Sequence, residues 1–365
     1  MRRANHLYFV LSIALVASAC GGGSEEAADV TTTAAATSST AEPSTTTTEP
    51  PTTTTEDPRT LAFDPGMVPA PFTGLPLDEA MSTRQALVLK IDNHANARPQ
   101  WGIDSADMVF DYRAEGVTRF AAVFHSAFPE QVGPVRSSRT ADFDILRGLS
   151  QPVYGSSGGN AGVIAGLAQL PIFPMTNHTR KEYFRESSRS APHNLLVRPS
   201  ELYSAAEATF GAAMVDAPGP NPWFEFRDPT IDQDMGDAAA GPISVDFTGS
   251  PTATFEWDAA TEGWMRSQDG QPHQTADGVR IAPQNVVIMV TTYGTSSADA
   301  ASPEVHSTGS GEAVVLSAGR VIAGTWERVT ADAPPVLTYT DGRPIQLTPG
   351  QTWVLFPEAG QIAFG

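Results

Sequence analysis

The sequence predicts an α+β protein: an N-terminal mixed α/β sandwich domain followed by a smaller, mostly β C-terminal domain. Three observations predict it. Strand-length apolar runs mix with helix-length segments up to about residue 213, and short β-rich runs separated by turns fill the chain from about residue 242. The roughly 300 residues after Leu61 also exceed what one hydrophobic core normally serves.

Two segments before the globular part build no core. Arg2 and Arg3, the apolar run Leu7 to Ala17, and the small residues Ala17, Ser18 and Ala19 before Cys20 form a signal peptide with a lipobox over residues 1–20. The run is shorter than the roughly 20 apolar residues that cross a bilayer, and Gly21, Gly22 and Gly23 end it. Cys20 is the only cysteine, so the folded part has no internal disulfide, Cys-ligated zinc or catalytic thiol, and Cys20 is assigned to lipidation. Residues 21–60 are mainly Thr, Ala, Pro, Ser and Glu, which bury too little surface to offset their ordering entropy. They predict a disordered stalk of about 40 residues, reaching between roughly 35 Å coiled and 120 Å stretched. The expected address is the extracytoplasmic face of the cell membrane, through a lipid anchor.

In the N-terminal domain, residues 61–213, the runs Ala86 to Ile91, Met108 to Tyr112 and Val117 to Phe124 read as strands. Helices are predicted from Thr140 to Leu149, Asn160 to Leu170 and Ser200 to Phe210, with Thr140 and Ser200 as N-cap residues. Residues 214–241 read as a linker. Its Asp232, Asp234, Gly236 and Asp237 hint at calcium, but the closing Glu of an EF-hand loop is missing, so a solvated turn is expected. In the C-terminal domain, residues 242–365, seven β-rich runs lie between Thr252 and Phe356, with hairpin signals at Asp269-Gly270 and Asp341-Gly342.

Net charge is −19 for the chain, and two units more negative without Arg2 and Arg3. Such a surface repels nucleic acid and anionic polymers, so any anionic ligand requires a local basic pocket. The densest polar cluster, Gly133-Pro134-Val135-Arg136-Ser137-Ser138-Arg139, runs into the predicted helix start. Two guanidiniums, two hydroxyls and free amides converging there would hold phosphate or carboxylate; alternatively Arg136 and Arg139 pair with Glu115, Asp142 or Asp144 and brace the loop. The loop Gly155-Ser156-Ser157-Gly158-Gly159 fits G-x-S-x-G, with Ser157 as nucleophile and His193 as base, but fits a Gly-rich amide-donating turn equally well. His94 and His125 end strands, and no histidine pair has the spacing of a helical zinc site, so neither metal nor cofactor is expected.

The chain resembles the YerB-type bacterial lipoproteins over nearly everything after the stalk. The resemblance rests on Phe72-Thr73-Gly74-Leu75-Pro76, Ile91-Asp92-Asn93-His94, Arg98-Pro99-Gln100, Glu115-Gly116 with Thr118-Arg119-Phe120, the Gly133 to Arg139 segment and Ala191-Pro192-His193-Asn194-Leu195. Gly309-Ser310-Gly311-Glu312, Gly324-Thr325-Trp326-Glu327-Arg328 and Gly350-Gln351-Thr352-Trp353 continue it. It implies an α+β first domain of unknown function, a separate C-terminal domain, and no established activity, cofactor or substrate. It implies a Gly-rich loop before Asn160 but no fixed serine at Ser157, which counts against a nucleophile.

Arg136, Ser137, Arg139, Asp92, Asn93, Arg98, Glu115, Arg119, Gly158, Gly159, His193 and Asn194 are therefore the candidate ligand-binding residues, expected to line one shared cleft. The leading functional reading is a binding module for a small anionic or polar envelope ligand, such as a cell-wall-derived fragment. The alternatives are an envelope hydrolase or transferase, and a factor docking an envelope protein partner through exposed aromatics among Trp257, Trp264, Trp326 and Trp353.

Overall fold

A computed structural model describes residues 63–228, 236–247 and 252–365. The segments expected to be a signal peptide and a stalk, with Cys20, Asp232 and Asp234, lie outside the described residues.

The fold is α+β, with few helices and an all-β C-terminal half. Its centre is a mixed sheet of eleven strands among the described residues. Across this sheet run Asp237–Ala238, Arg320–Arg328, Gly309–Ser317, Asn285–Met289, Thr352–Leu355, Met108–Arg113, Thr118–Phe124, Leu87–Asp92, Val153–Gly155 and Phe173–Met175, with Val336–Tyr339 paired to Arg320–Arg328. The central strands are apolar on both faces because both faces are covered. Leu87, Leu89, Ile91, Val109, Phe120 and Ala122 face one core with Trp264, Phe255 and Leu202. Val88, Phe110, Tyr112, Ala121 and Val123, in the alternate phase, face the other with Ile145, Leu167 and Trp223.

The first core is closed by a five-stranded sheet, Gln271–Pro272, Gly263–Gln268, Thr252–Asp258, Ile243–Asp246 and Ile362–Phe364, and by the helix Pro199–Phe210. The helices Asp142–Gly148 and Ala161–Leu167 close the second.

The two halves expected from sequence meet in one sheet. Thr352–Leu355 pairs in parallel with Met108–Arg113, Thr352 opposite Met108 and Leu355 opposite Asp111. Local apolar patterning marks a strand but carries no record of its neighbour, so this seam is invisible in the sequence.

The helix caps also differ from expectation. Asp142–Gly148 starts after Ala141, which makes no side-chain cap bond, and Asp142 Oδ2 accepts from the Arg139 amide at 2.8 Å. The Thr140 hydroxyl makes no hydrogen bond among the described residues, so it caps nothing. The last predicted helix begins at Pro199, where the ring's fixed φ suits the first helical turn, one residue before Ser200. Trp264, Trp326 and Trp353 are at most 2% exposed and Trp257 is partly buried, so these aromatics fill cores rather than present a docking face.

Candidate functional site

The strands Leu87–Asp92, Met108–Arg113, Val153–Gly155, Phe173–Met175 and Thr352–Leu355 run in one direction, so their C-terminal ends share one edge of the sheet. Open α/β sheets bind ligands outside such edges. Here the edge gathers Asp92, Glu115, Arg119 and the loop from Gly155, with the Gly133 to Arg139 and Ala191 to Leu195 segments laid across it. The Val135 amide donates to the Leu195 carbonyl at 2.6 Å and the Arg136 amide to the Lys90 carbonyl at 2.8 Å.

Asp92, 1% exposed, organises the cluster. Its Oδ1 accepts from the His94 amide at 3.0 Å, and its Oδ2 lies 2.7 Å from His193 Nδ1 and 3.1 Å from Arg136 Nε. The His94 and His193 rings stack at 4.4 Å. With His193 Nδ1 donating to the carboxylate, its Nε2 carries the lone pair in the neutral ring. The Nε–H of Arg136 does not point at Asp92, and no hydrogen-bond partner is present for it among the described residues.

Arg136 and Arg139 do not converge on a guest. Arg139 donates to both oxygens of Glu115, through Nε to Oε1 and through Nη2 to Oε2 at 3.1 Å, and through Nη1 to the Ser138 carbonyl. Arg119, 4% exposed, shares Glu115 Oε2 at 3.1 Å and donates to the Ser137 carbonyl. Ser302, from the C-terminal half, donates to Glu115 Oε1. Burial raises the Glu115 pKa, but the Arg139 and Ser302 hydrogen bonds and the Arg119 charge outweigh it and hold the carboxyl at about 2. Glu115, Arg119 and Arg139 thus brace the edge.

The amides expected to be free are also used. Ser138 N donates to the Gly158 carbonyl, Ser157 N to the Arg136 carbonyl, and Arg139 N to Asp142. Gly158 adopts φ +103°, which favours glycine, and a Cβ at Gly159 would sit 3.2 Å from Val163 Cγ1. Their loop therefore shapes the edge. Ser157 Oγ contacts Ser137 Oγ at 3.3 Å, and the His178 ring meets the Ser157 carbonyl rather than its hydroxyl, so these contacts do not form a nucleophile–base pair.

The single cleft expected for all candidates is corrected at three positions. Asn93, fully buried, donates inward to Thr118 Oγ1 at 2.7 Å and Gln268 Oε1 at 3.1 Å. Asn194 fixes its own loop, accepting from Arg185 and donating to the carbonyls of Glu186 and Arg189. Arg98 pairs with Asp269 at 2.9 Å beside a separate cavity of about 470 Å³ shared with Gln268 and His273. Each is drawn away by a polar partner that sequence alone does not place.

Beneath the edge, the C-terminal half supplies a buried polar chain. Arg266 donates to Asp111 Oδ2 at 2.9 Å, to Gln268 Oε1 at 2.7 Å and to His273 Nδ1 at 2.7 Å. An arginine always donates, so His273 carries its proton on Nε2 and gives it to Gln100 Oε1 at 2.9 Å. Gln100 Nε2 then donates to the Asp92 carbonyl at 3.0 Å. Burial, with Arg266 adjacent, holds His273 well below the usual histidine range. Sequence reasoning missed Arg266, Gln268, His273 and Ser302. The signal for two of them is phase: Trp264, Arg266 and Gln268 alternate on the buried face of their strand.

Models of the N-terminal and C-terminal domains of a protein of unknown function, DUF3048, match residues 72–212 and 243–354. A candidate lipoprotein of Bacillus subtilis, YerB, is 28% identical over 293 residues, which cover 78% of this chain and 85% of that protein. The crystal structure of the YerB protein from Bacillus subtilis is similar with a TM-score of 0.70 at 24% identity, over 82% of this chain and 99% of that one.

Proposed function

Because the chain belongs to the YerB-type DUF3048 family, whose function is unknown, we propose that it is a lipid-anchored envelope protein that binds a small anionic ligand at the C-terminal edge of its central sheet. The anchor is supported by the lipobox at Cys20 and by the name of the Bacillus subtilis relative. No helix among the described residues is long and apolar enough to cross a membrane. Cys20→Ser is expected to move the protein from the membrane fraction to the soluble extracytoplasmic fraction. Unchanged fractionation would overturn the anchor.

The ligand reading is carried by Arg136. Its terminal nitrogens have no hydrogen-bond partner among the described residues, and its side chain is 21% exposed beside the His94–His193 stack. The edge holds three arginines, Arg119, Arg136 and Arg139, against two carboxylates, Asp92 and Glu115. With Asp299, which shares the Ser302 hydroxyl with Glu115, the charges at the edge balance, so it is neutral on a chain of charge −19 and Arg136 alone of the three offers a free guanidinium face. Phosphate, muropeptides and acidic sugars are the probes, read by thermal shift and calorimetry. Arg136→Ala is expected to weaken binding by about 10- to 100-fold, the worth of a charged hydrogen bond. The apo Tm should fall as well, because the buried Asp92 carboxylate loses its nearest cation, so the loss of affinity is read by calorimetry well below the melting range. If no anion class shifts the melt, the reading fails.

A second reading rests on the Asp92–His193 contact, which orients an imidazole as general bases are oriented. In that case a hydrolase or transferase would draw its nucleophile from water or substrate, because the polar contact of Ser157 Oγ is Ser137.

A further inference from the structure

Two histidines stand beside Arg136 at the proposed anion site, and the inner bonds of their rings fix what each offers a ligand. His193 gives its Nδ1 proton to Asp92 Oδ2 at 2.7 Å, so its neutral ring presents a lone pair at Nε2. His94 is fixed the other way. Its Nδ1 accepts from the Asn96 amide at 3.1 Å, which leaves the ring proton on Nε2. The rings stack at 4.4 Å with 17° between their planes. Both Nδ1 atoms are held by the Asp92 to Asn96 turn, so both Nε2 edges face away from it, one a donor and the other an acceptor. Arg136 approaches the same Asp92 oxygen through Nε, at 3.1 Å. Among the described residues no hydrogen bond engages either Nε2 atom or the terminal nitrogens of Arg136, and none of these atoms is buried. The His193 and Arg136 side chains are 16% and 21% exposed.

Resting on the anion site proposed above, the geometry points to a sugar acid as its ligand: the carboxylate on the Arg136 guanidinium, one ring hydroxyl accepting from His94 Nε2–H, and the neighbouring hydroxyl donating to His193 Nε2. A hydroxyl both donates and accepts, so adjacent hydroxyls meet a mixed donor and acceptor pair. Sulfate and a bare carboxylate only accept, and would face the His193 lone pair. Two adjacent hydroxyls also suit two nearly parallel ring edges, since a single oxygen between them would lie out of both ring planes and bend both hydrogen bonds. On an edge whose charges balance, one free guanidinium face matches a single carboxylate better than a doubly charged phosphate. The pair does not chelate a metal, because with Nδ1 accepting, His94 has no lone pair at Nε2 to give.

Glucuronate, tetrahydropyran-2-carboxylate and glucose test the assignment by calorimetry on the full chain in detergent, well below the melting range. The second probe keeps the ring and carboxylate without hydroxyls, and glucose keeps the hydroxyls without the carboxylate. Glucuronate is expected to bind one-to-one, tetrahydropyran-2-carboxylate about tenfold or more weaker, and glucose not to bind. His94→Asn retains an oxygen to accept from the Asn96 amide, and His193→Asn retains an N–H to donate to Asp92, while each deletes Nε2. Each should lower glucuronate affinity by about three- to tenfold, leave tetrahydropyran-2-carboxylate unchanged and change the apo Tm little. Tetrahydropyran-2-carboxylate binding as tightly as glucuronate, or both acids weakening equally in the two histidine variants, would overturn the sugar acid; Arg136→Ala weakening both acids would then show that the anion site itself stands. Glucose binding as tightly as glucuronate, or no binding of any anion, phosphate included, would overturn the site as well. The probe series on the unaltered protein decides the matter even where a variant folds poorly.

Discussion

Lys90→Met lowers the melting temperature by about 10 °C, the expected result of removing about 3–5 kcal/mol by breaking a buried ion pair on one side. Lys90 is fully buried; its Nζ donates to Asp142 Oδ1 at 2.7 Å and to Tyr112 Oη at 2.6 Å. Tyr154 donates to Asp142 Oδ2 at 2.7 Å. Methionine fills the volume and leaves the Asp142 carboxylate without a counter-charge. Lys90→Met with Asp142→Asn should recover much of the loss, since the neutral amide needs no cation; no recovery would mean the effect is packing.

The same pair sets a pH dependence. Burial pushes Lys90 down to about 8, against the pull of Asp142. The folded state thus binds this proton less tightly than the unfolded chain, whose lysines lose it near 10.5. Between these values the unfolded state holds more protons, so the Lys90 contribution to stability rises with pH. Urea denaturation at pH 7.5 and 9.5 should show the stability gap between wild type and Lys90→Met widening at the higher pH. A constant gap would contradict the lowered pKa.

Arg266→Met is expected to cost a similar 3–5 kcal/mol and to loosen the binding edge. The substitution strands the Asp111 carboxylate, which burial already pushes up and which Arg266 pulls back. It also removes the donor to His273 and Gln268, through which Gln100 and Asn93 are held. Hydrogen exchange should accelerate at the Asp92 and Arg136 amides, both fixed by backbone bonds across this loop. If the melt falls while those amides stay protected, the chain braces the second sheet but does not position the site.

Much of the central sheet was legible because its strands announce themselves. Leu87–Asp92, Met108–Arg113 and Thr118–Phe124 carry consecutive apolar residues, broken inside the first two by Lys90 and Asp111, the mark of strands covered on both faces. Phe173–Met175, Tyr183–Arg185 and Leu195–Val197 escaped because three residues carry too little periodicity to read. At the site, Asp92, Arg136 and His193 could be named from local context, since strand ends and loops present polar groups. Which arginine would stay available could not. Glu115 takes Arg139 and Arg119 only because the fold brings Met108–Arg113 and Thr118–Phe124 side by side and lays the Arg136 loop over them.

The seam between Thr352–Leu355 and Met108–Arg113 has a consequence for heredity. A gene fragment encoding either matched segment alone would yield a polypeptide with a raw, apolar sheet edge, the kind that recruits other chains into aggregates. The two segments are therefore expected to fold only when joined, and a truncation between them to leave the Met108–Arg113 edge without its partner strand.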